Sequence, residues 1–335
     1  MEFKELPIKV NASGEERKVG FELEFAQVGV DESVQLIIDL YGGTCQKEHR
    51  FSQKVVNTRL GDFSVEIDLK LLTEKKYKYI FDKLNIDLEH IQVGGSTLEE
   101  KVEDALESMI QKVIPYEVGA PPIPYSQLHL LEPLRRALLE HHAQGTEAFF
   151  TNAFGTHINT ELPASDPATI LRYLRAFLLL YPWLVEKGQT DFARRHMTTF
   201  INPYPAEYIA LVLPPSYQPD LPQLIEDYHH YNPDRNRPLD LYPLFAHLQE
   251  ELVNSYTNLG SVKARNTFHY RLPNSRVSDP NWTLAQEWNL WVVIEELAAQ
   301  PGQIAQLSQE YLRLKKDTLL GFEEKWVKRM NEWHS

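Results

Sequence analysis

The chain has 335 residues, 43% of them hydrophobic and 24% charged, which is enough to bury a sizeable core in one large domain or two. Its formal charge of -13, from 34 Lys and Arg against 47 Asp and Glu, argues against a general nucleic-acid binder, because neutralising phosphates needs a basic face. Cys45 is the only cysteine, which excludes an intrachain disulfide framework and any cysteine-based zinc site. The segment Met1-Glu2-Phe3-Lys4-Glu5 lacks the apolar core of a signal peptide, and no run approaches the length of a membrane span. The cytoplasm is therefore the expected compartment, with neither membrane nor nucleic acid as a partner.

Residues 17–29, 51–58 and 62–69 read as strands, with Tyr41-Gly42-Gly43-Thr44 and Leu60-Gly61-Asp62 as turns. Helical periodicity begins after Leu71, and Thr97-Leu98-Glu99-Glu100 has the form of a capping box opening a helix with its apolar stripe at Leu98, Val102, Leu106, Met109 and Val113. Pro115 to Pro124 is too stiff and too poor in donors for a helix or a central strand; it reads as a crossing loop within one domain, with a domain boundary as the alternative. A helix ending near Gly145 comes next, then a strand from Phe149 to Glu161. Asp166-Pro167 starts a Leu-rich buried helix that fades at Lys187-Gly188, Asp serving as N-cap and Pro as first helical residue. Residues 196–240 read as a proline-punctuated loop, and long loops of this kind usually carry function. A helix around Leu244–Val253 and a strand from Asn266 to Leu272 lead into two final helices, one through Trp288, Trp291 and Leu297, the other through Leu307, Tyr311 and Leu314.

The chemistry concentrates on the strands. Phe21-Glu22-Leu23-Glu24-Phe25 and Phe63-Ser64-Val65-Glu66-Ile67-Asp68 alternate apolar and acidic residues with period two, so each places its carboxylates on one face and its apolar side chains on the other. A single such strand is ordinarily a solvated sheet face. Two of them joined to His157 and Asn159, which share a face on a third strand, make an oxygen-rich set suited to Mg²⁺ or Mn²⁺ rather than zinc. On the late strand Arg265, Thr267, His269 and Arg271 point the same way, clustering two guanidiniums around an imidazole; such a cluster grips phosphate or carboxylate. Arg237, in Arg235-Asn236-Arg237, is a further anion-binding candidate.

Taken in order, Val19-Gly20-Phe21-Glu22-Leu23-Glu24-Phe25, Gly61 to Asp68, Phe154-Gly155-Thr156-His157-Ile158-Asn159 and Thr267-Phe268-His269-Tyr270-Arg271 resemble the motifs of the putative amidoligase family. The resemblance covers about residues 18 to 300, extends to Asn236-Arg237-Pro238-Leu239-Asp240 and Glu287-Trp288-Asn289-Leu290-Trp291, and leaves 301–335 as a C-terminal helical segment of a single catalytic domain. It implies an α+β fold: a curved antiparallel sheet of the glutamine synthetase and glutamate–cysteine ligase type, packed with helices on its convex side. It also implies an ATP- and Mg²⁺-dependent ligase that joins a small-molecule or peptide carboxylate to an amine through an acyl phosphate. On that resemblance Glu22, Glu24 and Glu66 match metal-binding acids, His157 the histidine beside the nucleotide phosphates, and Arg271 the arginine that stabilises the transferring phosphoryl group. Arg265 matches an upstream basic position and, with Arg237 and Asn159, is expected to bind the cofactor; Glu66 and His157 join Arg271 as expected catalytic residues. His269 departs from the wider superfamily, which commonly has glutamate there; as a neutral imidazole it can still ligate a metal but removes one negative charge. That departure favours an alternative reading as a non-catalytic, nucleotide- or partner-binding relative. A metal-dependent hydrolase is a third reading, supported by no nucleophile motif.

Overall fold

The computed structural model describes residues 1–49, 52–67, 116–145, 154–190 and 201–335. The helix expected from Thr97 to Val113, and Asp68, lie outside the described residues. In chain order, β1 (Lys18–Phe25) is followed by α1 (Val30–Tyr41) and the meander β2 (Thr44–His49), β3 (Ser52–Thr58) and β4 (Gly61–Ile67). Next come β5 (Tyr116–Gly119), β6 (Ile123–Pro124), α2 (Glu132–Glu140), β7 (Thr156–Thr160) and α3 (Pro167–Lys187). α4 (Ala206–Val212), α5 (Leu221–Tyr231), β8 (Leu239–Asp240), α6 (Tyr242–Leu248), α7 (Glu250–Asn254) and β9 (His269–Tyr270) precede α8 (Leu284–Ala298), α9 (Pro301–Asp317) and α10 (Phe322–His334).

The described strands form one open sheet of nine in the order β2-β3-β4-β5-β1-β7-β9-β8, with β6 paired to the start of β1. All the described pairings are antiparallel, as an α+β architecture requires. Register carries the sequence alternation across the whole sheet. Val65 faces Val118, Val118 faces Leu23, Phe21 faces Ile158, and Ile158 faces Tyr270, so one surface is continuously apolar. Helices cover that surface: Tyr41 of α1 stacks on Phe63 at 5.2 Å, while Phe177 of α3 and Trp291 of α8 meet Tyr270 at 6.1 and 5.3 Å. The acidic side chains occupy the opposite surface.

Several elements depart from the sequence reading. The proline-rich connector contains a central strand, because Pro115, Pro121, Pro122 and Pro124 lie outside Tyr116–Gly119 and leave its backbone free to pair with both β4 and β1. The strand expected over 17–29 ends at Phe25; Gln27 takes a φ of 75°, and α1 follows with Val30, Val34, Ile37 and Tyr41 buried at helical spacing. β2 was not foreseen. Within the proline-rich stretch 196–240 stand α4 and α5, the latter capped by Asp220 on the Gln223 N–H at 2.9 Å with Pro222 in its first turn. Asp166 caps α3 in the same way, as expected, through the Thr169 N–H.

The helix expected around 244–253 is broken at Gln249 into α6 and α7. The late strand expected over 266–272 is reduced to His269–Tyr270; the Arg271 N–H still bonds the Pro238 carbonyl beside β8, and the Arg265 N–H bonds the Pro243 carbonyl in the first turn of α6. Three helices, not two, end the chain, with Trp326 of α10 donating to the Leu179 carbonyl at 2.7 Å. The 21-residue α3 is long and apolar enough to cross a membrane, which corrects the expectation that no run reaches that length; 67% of its apolar window is buried within the fold, and Arg175 donates from it to the Val212 and Pro214 carbonyls.

Candidate active site

Strand pairing assembles the acidic surface in rows. Glu66 on β4 stands opposite Glu117 on β5, and Glu117 opposite Glu24 on β1, so three carboxylates cross three adjacent strands on one face. Adjacent strands lie about 4.8 Å apart, which spreads the row over about 10 Å. One row along, Ser64 stands opposite Gly119, Gly119 opposite Glu22, and Glu22 opposite His157. A Cβ on Gly119 would come within 2.5 Å of the Ser64 hydroxyl, so a side chain there would displace the Ser64 side chain that lies against the β5 backbone. Exposure is graded: Glu22 is buried, Glu24 and Glu117 are half-buried, and Glu66 is exposed.

The sequence-predicted residues on β1, β7 and β9 meet in one hydrogen-bonded group. His157 has a carboxylate against each ring nitrogen, Glu22 Oε2 at 2.8 Å from Nδ1 and Glu24 Oε1 at 3.3 Å from Nε2. Asn159 Nδ2 donates to Glu22 Oε1 at 2.9 Å, and Asn159 Oδ1 lies 2.6 Å from His269 Nδ1. Arg265 reaches over from the loop ahead of β9 and places Nη1 2.5 Å from Glu22 Oε1. Burial alone would raise the Glu22 carboxyl, but the hydrogen bond with His157, the imidazole neighbours and the Arg265 guanidinium outweigh it and hold the group well below the ordinary carboxylate range.

Arg271 and Arg237 are placed differently. Arg271 Nη1 donates to the Arg235 carbonyl at 2.8 Å, and its charge acts on both His269 and Asp240. Arg237 turns into its own loop, donating to Asn232 Oδ1 at 2.9 Å and to the Pro203 carbonyl at 3.2 Å, with Asp234 at 3.6 Å, so the structure does not bring it to the carboxylate face. Two residues were missed by sequence reasoning. Glu117 completes the carboxylate row; the apolar-acidic-apolar alternation Tyr116-Glu117-Val118 is its signal, hidden by the prolines around it. Asp240, fully buried, stands opposite His269 and accepts from Arg235 Nε at 3.3 Å.

Burial drives the His269 imidazole well below its ordinary value, the nearby Glu22 charge opposing only in part. The sign for stability follows directly. As pH falls below about 6.5 toward the lowered folded value, the unfolded chain binds a proton that the folded chain excludes, so this group lowers stability by up to about 1.4 kcal/mol per pH unit. In metal-free protein, His269→Gln should flatten the fall in stability across that window, read by urea denaturation at a series of pH values. Superimposable curves for wild type and variant would show that His269 does not titrate this way.

A family model described as putative amidoligase enzyme matches residues 15–293. The chain belongs to the putative amidoligase family. No curated protein and no solved structure gives a match. The amidoligase match takes in every described strand and ends within α8, so α9 and α10 lie beyond it. The family is one of ligase-type enzymes by name. Two groups on that face have ligand atoms within 4.8 Å of one another and can hold a metal ion: Glu24, Glu117 and His157, and Glu22, His157 and His269. Glu66 stands next to Glu117 in the same row but is not among these ligand atoms.

Proposed function

We propose that this protein is an ATP- and Mg²⁺-dependent carboxylate–amine ligase that joins a small-molecule or peptide acid to an amine through an acyl phosphate, in the cytoplasm, on a sheet of the glutamine synthetase type whose convex side carries the helices. The observation that carries the reading is the row Glu24, Glu117, Glu66, ending against His157 and bordered on the same face by the guanidinium of Arg265. Phosphoryl transfer from a nucleotide to a carboxylate needs little covalent chemistry from a protein; it needs positioning and neutralisation of the charge that develops on the phosphoryl oxygens. Mg²⁺ (or Mn²⁺) held by Glu24 and Glu117, with Glu66 next to them in the row, would supply part of that neutralisation. Arg265 supplies fixed positive charge beside the row and Arg271 beside His269, while Asn159 orients Glu22 and His269.

Calorimetry with ATP, with and without Mg²⁺, followed by phosphate release over a panel of acids and amines, tests the reading. Metal-dependent ATP binding and amine-dependent phosphate release are expected; absence of ATP binding in Mg²⁺ would end it. A second reading, a nucleotide-binding relative without catalysis, draws on the engagement of both Glu22 oxygens by His157, Asn159 and Arg265. It predicts ATP binding with no phosphate release for any acid and amine pair.

Arg271→Lys separates charge from geometry. Lysine keeps the positive charge but lacks the planar fork, so ATP affinity should stay within about threefold while turnover falls about tenfold or more. The paired measurement is ATP affinity by calorimetry and rate by phosphate release; a wild-type rate in the folded variant removes Arg271 from the mechanism.

A further inference from the structure

The residues around Glu22 do not fit the hard, all-oxygen demand of Mg²⁺. An ionised Glu22 can only accept hydrogen bonds, so the Asn159 atom 2.9 Å from Glu22 Oε1 is the amide nitrogen, and the amide oxygen is the atom that faces His269 Nδ1 at 2.6 Å. His269 Nδ1 must then donate. In the neutral ring that leaves the lone pair on Nε2, an atom with no hydrogen-bond partner among the described residues, on a side chain only 7% exposed. His157 shows the same pattern from the other side: its Nε2 lies 3.3 Å from Glu24 Oε1 while Nδ1 faces Glu22 Oε2 at 2.8 Å. That last separation is close to the edge, about 3 Å, between adjacent ligands of a metal bound at about 2.1 Å. His157 thus has one nitrogen against Glu22 and the other against Glu24, His269 has Nδ1 engaged by the Asn159 oxygen, and one ring nitrogen of each histidine lies within 4.8 Å of the other and of a Glu22 oxygen; outlying partners of this kind fix the ring orientation of metal-ligating histidines.

We propose that Glu22, His157 and His269 form a three-ligand site for a divalent first-row transition-metal ion of the iron-to-zinc range, richer in nitrogen than the group of Glu24 and Glu117 with which it shares His157. Two imidazoles and one carboxylate favour such ions over Mg²⁺, which prefers oxygen donors and gives up water reluctantly. His269 is the residue that decides the selectivity: a glutamate there would make the group oxygen-rich. Asn159 and Glu24 act as positioning residues, holding the two rings. The proposal concerns binding alone and stands whether or not the protein proves to be a ligase.

The probe is Co²⁺, whose visible absorption reports nitrogen ligation, added to untagged, EDTA-treated full-length protein in excess Mg²⁺. One equivalent should bind with ligand-field bands that an about thousandfold excess of Mg²⁺ does not remove. His269→Gln should weaken Co²⁺ binding on the order of 100-fold and Asn159→Ala about tenfold, whereas Glu66→Gln should leave the spectrum unchanged. Displacement of Co²⁺ by Mg²⁺ in the wild-type protein overturns the proposal without recourse to any variant, as does an unaltered spectrum and affinity in a His269→Gln protein whose circular dichroism shows it folded.

Discussion

Glu295→Ala is expected to destabilise the protein by about 3–5 kcal/mol. Arg17, at the entry to β1, and Glu295, on α8, are both fully buried and paired through two hydrogen bonds, Nη1 to Oε2 at 2.9 Å and Nη2 to Oε1 at 2.7 Å. The remaining valences are also used: Arg17 donates to the Glu161 and Ile8 carbonyls at 2.8 and 2.9 Å, while Trp291 at 3.0 Å and the Tyr173 hydroxyl donate to the Glu295 carboxylate. Truncating Glu295 strands a guanidinium in the interior together with two aromatic donors, and the cost is the desolvation of groups left unmatched rather than the loss of one contact. The same reasoning gives a control. Replacing both partners with apolar residues, Arg17→Met with Glu295→Leu, should recover a substantial part of the loss, because no charge is then left buried alone. Urea denaturation of the three variants against wild type decides it; a loss below about 1 kcal/mol in Glu295→Ala would show that the network does not tie β1 to the helices.

Glu24→Gln should lower Mg²⁺-dependent turnover at least about 100-fold while leaving stability within about 1 kcal/mol of wild type. Glu24 sits at the centre of the candidate site, between Glu117 on β5 and His157 on β7, and its Oε2 accepts from the Gly155 N–H at 2.6 Å. Glutamine has nearly the same volume, and its amide oxygen can still accept from Gly155, so the strand keeps its packing and its backbone partner. What the change removes is one negative charge from the row of three and the anionic partner of His157. If the row holds no metal ion during the reaction, the charge is dispensable and the rate will not move. Phosphate release and thermal denaturation, run on the same preparation, separate the outcomes; a wild-type rate in the folded variant would take Glu24 out of the site, and the parallel Glu117→Gln variant tests the residue concealed among the prolines.

The sequence by itself determined which way side chains face. The period-two alternation of Phe21 to Phe25 and of Phe63 to Ile67 put Glu22, Glu24 and Glu66 on one surface because side-chain direction along a strand is a local property of the extended backbone. The capped start of α3 at Asp166-Pro167 was legible for a similar reason, since an N-cap is satisfied within four residues. The tertiary structure alone decided which strands stand side by side. β5 enters the sheet between β1 and β4, which inserts Glu117 into the carboxylate row. Arg265 meets Glu22 across 243 residues, and Arg17 meets Glu295 across 278. Conversely, Arg237, whose neighbours in sequence suggested an anion site, spends its donors on Asn232 and the Pro203 carbonyl. Long-range pairing depends on the combined burial of surfaces from distant segments, and no local period, cap or turn in the chain records which partners those surfaces will find.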